Sequence, residues 1–136
     1  MADKAARIAQ RLAARKARGA AARLSGRRQE VIAAIVLMLK GYRILGFRLK
    51  TPEGEIDLLA QRGSVLAVVE VKSRTTLEAA LEAVSYTQRQ RLRRAAGALA
   101  ARRAMRPNVR LDLVALAPGA WPRHIADAWR DDAERP

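Results

Sequence analysis

One stretch of the chain leaves little freedom in how it can fold. Residues Glu55–Gln61 alternate charged and apolar side chains, and Val65–Lys72 is rich in β-branched residues and ends in the same alternation. Between them lies Arg62-Gly63-Ser64, and Gly followed by Ser is a two-residue hairpin signal of the II′ kind. A turn at Gly63-Ser64 puts Arg62 opposite Val65. Counting back along both strands, Asp57 falls opposite Glu70 and Glu55 opposite Lys72. The strand period of two sends all four of these side chains to one face and Ile56, Leu58, Val69 and Val71 to the other, the expected core face. A slip of one residue would turn one partner of each pair toward the core.

The flanking segments read as helices and further strands. A helix is expected from about Arg28 to Lys40 with Gly41 as its C-cap, and a first strand over Tyr42–Leu49. The turn Thr51-Pro52-Glu53-Gly54 leads into the hairpin. A long helix is expected over roughly Thr87–Arg103, a fourth strand over Arg110–Leu116, and one short helix between Trp121 and Trp129. A strand joined to the next through a long helix gives a parallel, right-handed crossover. The expected fold is therefore α/β, a mixed four-stranded sheet flanked by helices.

Residues 1–28 carry nine Lys or Arg against one Asp. Arg7, Arg11, Arg15 and Arg18 recur at helical spacing as a basic stripe, Ile8 and Leu12 form a thin apolar one, and Gly19 and Ser25-Gly26 punctuate the segment. The expected organisation is a basic helical or flexible extension over 1–25, a folded domain over 26–130 and a tail over 131–136.

The whole chain of 136 residues holds 27 Lys and Arg against 13 Asp and Glu, a net charge of +14. Such an excess points to a polyanionic partner, nucleic acid first. Residues 89–110 hold eight Arg and no acid. The absence of cysteine excludes disulfides, thiolate zinc sites and cysteine nucleophiles, and one histidine excludes a multi-histidine centre within one chain. Any metal must be held mainly by carboxylates, which favours Mg²⁺ or Mn²⁺. The longest apolar run, Val31–Leu39, falls well short of the ~20 residues of a spanning helix, so no membrane association and a cytoplasmic location are expected.

The hairpin carries the chemistry. Facing carboxylates repel unless something positive lies between them, and a divalent cation can be shared by both. Lys72, two residues beyond Glu70, puts an ammonium beside that point, where it can orient a water or stabilise a phosphorane-like transition state. With a basic surface around it, the set suggests phosphodiester hydrolysis. The rival is an exposed Glu55–Lys72 ion pair on a plain surface hairpin.

The segments Gly54-Glu55-Ile56-Asp57-Leu58-Leu59-Ala60 and Val69-Glu70-Val71-Lys72-Ser73-Arg74 resemble the YraN family of small bacterial proteins. That family is similar to archaeal Holliday-junction resolvases and to the restriction-endonuclease-like superfamily, whose signature is D…(D/E)-x-K. The resemblance covers roughly residues 26–130 and includes Gly41-Tyr42-Arg43-Ile44-Leu45 and Arg110-Leu111-Asp112-Leu113-Val114. It implies a restriction-endonuclease-like fold. It also implies Asp57, Glu70 and the backbone carbonyl of Val71 as metal ligands, Lys72 as catalytic lysine, Glu30 completing the metal site, and Gln88 at the start of the helix after the hairpin. Phe47, Arg48, Leu49 and Lys50 depart from the family's usual R-N-x-R, and Gln88 replaces its usual Lys. Arg74, Arg89, Arg91, Arg93 and Arg94 are the expected phosphate contacts, and His124 suits a structural hydrogen bond.

The leading expectation is a Mg²⁺- or Mn²⁺-dependent nuclease acting on DNA, including branched or structured DNA. The alternatives are a non-catalytic nucleic-acid-binding protein of the same fold, and a basic helper docking on a larger complex through residues 1–28. Resolvases of this kind act as dimers, so the resemblance allows a homodimer. If the N-terminal stripe binds duplex DNA, deleting residues 1–24 lowers the slope of log affinity against log salt by about 0.9 per lost phosphate contact. An unchanged slope in a salt titration assigns the stripe to another partner.

Overall fold

The computed structural model describes residues 2–103 and 107–134. Its elements are α1 (Ala2–Leu39), β1 (Arg43–Thr51), β2 (Gly54–Arg62), β3 (Val65–Ser73), α2 (Leu77–Glu82), α3 (Tyr86–Ala101), β4 (Asn108–Leu116), β5 (Arg123–Ile125) and a 3₁₀ turn over Arg130–Glu134. The strands form one mixed sheet in sequential order. Only β3 and β4 run parallel, joined by the helical crossover; the other neighbours are antiparallel. Residue 106, one of the eight arginines of the 89–110 stretch, and residues 135–136 of the expected tail lie outside the described residues.

Alanine-rich sequence carries α1 without a break through Gly19 and Ser25-Gly26, the expected points of interruption. The helix stops where expected. Gly41 takes φ +88, its N–H reaches the Met38 carbonyl and the Tyr42 N–H reaches that of Leu37, each at 3.0 Å, the Schellman pattern. Long as it is, α1 is too polar to cross a membrane, and no helix among the described residues is long and apolar enough to do so.

Helices cover both faces of the sheet. Ala33, Ala34 and Leu37 of α1 pack on Leu58, Val69 and Val71. On the other face, α2 and α3 set Ala80, Leu92, Ala95 and Ala96 against Leu59, Leu66, Val68 and Leu113. Double coverage explains why β3 is buried almost end to end. Ile56 departs from the expected face. Between the pairs Phe47↔Leu58 and Leu49↔Ile56, Arg48 adopts φ +48, the alternation skips, and Ile56 joins Leu59 on the α3 side.

Two elements correct the sequence reading. The sheet has five strands rather than four, because the segment expected to be one short helix contributes β5 instead. The open edge of β4 supplies ladder partners for Arg123, His124 and Ile125, and that pairing decides the segment. The second addition is α2, capped by the Thr76 hydroxyl, which accepts from the Ala79 N–H at 3.1 Å. After β5 the chain is tied back by Asp132, which takes hydrogen bonds from Arg89 and Arg93, and by the buried Trp129, whose indole N–H donates to the Leu81 carbonyl.

The packing of α1 makes a clean test. Leu37 is fully buried and Leu39 is 83% exposed, two residues apart on one helix. Leu37→Ala should cost about 2–5 kcal/mol in denaturant unfolding, and Leu39→Ala no more than about 0.5 kcal/mol.

Candidate functional site

The hairpin keeps the expected register from Arg62↔Val65 to Leu58↔Val69. The ladder ends one pair short of Asp57 and Glu70. At that point the Asp57 carboxylate accepts the Val71 N–H at 2.9 Å, taking the place of a partner from the opposite backbone. The strands open beyond it, and α3 leans over the opening. Ser85 caps α3 by accepting from the Gln88 N–H at 3.1 Å, which fixes Gln88 in the first turn, facing the strands.

The result is a cavity of about 250 Å³. Glu53, Glu55, Asp57, Glu70 and Lys72 line it from the strands, and Gln88 and Arg91 from α3. Four acids against two bases make a negative hollow in a chain of net charge +14. Glu70 is 2% exposed, and its Oε1 has no hydrogen-bond partner. Burial, and then the Asp57 carboxylate, push Glu70 up to about 8, against the opposing pull of Lys72. Glu53, which the sequence offered only as a turn residue, also has a buried oxygen without a partner. No ion pair joins Glu55 to Lys72 among the described residues. Also among them, no three Asp, Glu or His side chains converge closely enough to hold a metal ion unaided.

Glu30 does not line the cavity. Both its oxygens accept from Arg48 Nε, at 2.9 and 2.8 Å. That contact raises the Arg48 guanidinium above its ordinary value, with smaller contributions from the charges of Glu55 and Asp57. A Cβ on Gly26 would approach Arg48 Nη2 to 3.3 Å; glycine there gives the guanidinium room.

The five candidate phosphate-binding arginines separate. Arg91 is at the cavity and Arg94 is exposed. Arg74 lines a second cavity beyond the end of β3. Arg89 and Arg93 are engaged with Asp132, forty-three and thirty-nine residues away in sequence. His124 makes the expected structural contact: its Nε2 meets the buried Asp112 carboxylate at 2.8 Å. Burial pushes Asp112 up, but His124, Arg110 and the Asp127 N–H outweigh it and hold the carboxylate below its ordinary value. The signal for this cluster was an aspartate inside the apolar run of β4.

The profile of the uncharacterised protein family UPF0102 matches residues 29–116. A UPF0102 protein of Caulobacter sp. (strain K31) is 71% identical over 122 residues, 88% of each chain. One from Caulobacter vibrioides (strain NA1000 / CB15N) is 71% identical over 117 residues, 85% of this chain and 94% of its own. One from Parvibaculum lavamentivorans is 52% identical over 132 residues, 93% of this chain and 98% of its own.

The raised Glu70 has a consequence for stability. In metal-free protein the folded state retains a proton that the unfolded chain releases above the ordinary value of 4.5. This contribution is complete below 4.5 and is lost as pH rises through about 8, at about 1.4 kcal/mol per pKa unit. Thermal melts in chelator from pH 5 to about 9 should show that decline in the wild type and a weaker one in Glu70→Gln. Equal pH dependence in both would contradict the burial of a proton-binding Glu70.

Proposed function

The chain belongs to the uncharacterised protein family UPF0102, the YraN-like family of the sequence resemblance, and we propose that it is a divalent-cation-dependent nuclease hydrolysing phosphodiester bonds in DNA, branched or otherwise structured DNA included. The observation that carries this reading is Glu70: a buried carboxylate beside Asp57, with one oxygen unpartnered, in the same cavity as Lys72. Two neighbouring acids, one of them with a buried oxygen that has no donor, fit Mg²⁺ or Mn²⁺. Asp57, Glu70 and the Val71 carbonyl would hold the ion. When bound, it supplies Lewis-acid polarisation of the phosphate and neutralises charge.

The protein's own groups do the rest. The Val71 N–H fixes the Asp57 carboxylate in one orientation, so the site is formed before substrate arrives. Lys72 orients the attacking water and places positive charge where negative charge develops on the phosphoryl oxygens. Gln88 and Arg91 approach the same phosphate from α3. Glu30 serves through Arg48, which it holds by an ion pair and whose positive charge acts on Glu55 and Asp57. The exposed Arg11, Arg15 and Arg18 of α1 and Arg94 of α3 contact backbone phosphates beyond the scissile one. A restriction-endonuclease-like fold belongs to this proposal. It is supported by the antiparallel hairpin, the parallel crossover from β3 to β4, and acids placed where the hairpin opens.

The second reading, binding without catalysis, draws on the same net charge and on the lack of a three-carboxylate cluster among the described residues. A cleavage panel of single-stranded, duplex, flap and four-way-junction DNA, plus RNA, with Mg²⁺ or Mn²⁺ separates them. Wild type should cut at least one DNA substrate, and Lys72→Ala should lower that rate by about 10²–10³ while retaining most binding. Lys72→Arg should not restore the rate, because a planar guanidinium is no substitute for a compact ammonium. Equal cutting by folded Lys72→Ala removes the catalytic assignment; no cutting by wild type leaves the binding reading.

A further inference from the structure

Trp121 has no structural use. It is 91% exposed, whereas Trp129 is 9% exposed and hydrogen-bonded. An indole is the largest apolar surface a residue can bury, so a fully presented one gives up that stabilisation. Its position is nonetheless fixed. Ala117–Ala120 forms a turn with Pro118 at the second position and Gly119 at φ +70 at the third, closed by the Ala120 N–H on the Ala117 carbonyl at 3.2 Å. On the other side the chain enters β5 at Arg123, paired to Ala115. The indole is thus held out from the end of the sheet by two anchored segments.

Its surroundings suit one class of ligand. Trp121 lines a cavity of about 180 Å³ together with Arg74, Thr75, Leu116, Ala120 and Arg123. No acid lines it, and neither Arg74 nor Arg123 pairs with a carboxylate among the described residues. Arg74 Nη1 donates to the Ser73 carbonyl at 2.7 Å, which leaves its charge uncompensated. An exposed aromatic face flanked by two guanidinium groups without carboxylate partners is the arrangement that stacks an unpaired base while the flanking phosphates are held by charge. A paired duplex offers no such base face. The cavity is also next to the candidate site. Arg74 follows Lys72 by two residues, about 7 Å along the strand, and the register partner of Lys72 is Ala115, which lines this second cavity.

We propose that Trp121, flanked by Arg74 and Arg123, is a stacking platform for a single-stranded nucleic acid segment next to the Lys72 cavity. As a statement about which substrate that cavity receives, it rests on the nuclease reading: the scissile phosphate would be presented beside an unpaired stretch, as at a flap or junction. As a statement about binding it stands on Trp121.

The test is a fluorescence titration of the full chain, in chelator to prevent cleavage, with oligothymidylate or oligouridylate of about 15 nucleotides and with a duplex. Single strands should quench the exposed indole. Trp121→Ala should weaken single-strand affinity about tenfold, with Trp121→Phe retaining most of it and duplex affinity unchanged in both. Arg74→Ala and Arg123→Ala should each lower the single-strand salt slope by about 0.7. Wild-type single-strand affinity in Trp121→Ala, or an equal loss for single strand and duplex, overturns the platform. With Mn²⁺ restored, cleavage alongside unchanged oligonucleotide affinity in Trp121→Ala removes the platform and leaves the nuclease reading. Trp121-dependent binding with no cleavage by wild type does the reverse.

Discussion

Burying a carboxylate beside another, with no donor for one of its oxygens, is among the more expensive things a small sheet can do. Around Glu70 the local structure departs from regular pairing in ways that make this burial workable. The β2–β3 ladder stops at Leu58↔Val69, and the freed Val71 N–H is satisfied by Asp57. Opposite, Arg48 takes a left-handed backbone conformation, and Ile56 turns to the α3 face where it still finds a core. Without a cation, the cost is met by holding a proton on Glu70 near neutral pH. The rest of the sheet, buried on both faces along β3 and β4, supplies the stability that tolerates it.

Charge is segregated to match. The chain is strongly basic as a whole, yet its cavity is acidic. On the proposed reading a divalent cation would be drawn to the hollow and a polyanion to the outside, and Lys72 and Arg91, which line the cavity, would meet both. The Glu30–Arg48 pair ties α1 to β1. Arg89 and Arg93 show the opposite use of arginine: they hold the C-terminal turn through Asp132.

The hairpin register was legible because a two-residue turn and a strict alternation leave one solution, and that register brought Asp57, Glu70 and Lys72 to one cavity. Gly41 announced the end of α1 for an equally local reason. What the sequence concealed depended on distant partners. Nothing near Arg89 points to Asp132, and nothing near Glu30 points to Arg48. The β5 segment is strand only because β4 offers it an edge. Gly19 and Gly26 do not break a helix so rich in alanine, and Glu53 gains its place in the cavity only from the packing of its turn near α3. The side to which Ile56 turns, beside a left-handed residue at Arg48 on the neighbouring strand, is not written in the alternation of its own strand.

The central claim is that Asp57 and Glu70 form a site for a divalent cation, and direct ion binding tests it. Calorimetric titration of the full chain with Mn²⁺ at pH 8, beside Glu70→Gln and Asp57→Asn, should show an ion bound by the wild type and affinity reduced roughly tenfold or more in each variant. Wild-type Mn²⁺ affinity in both variants would contradict the account.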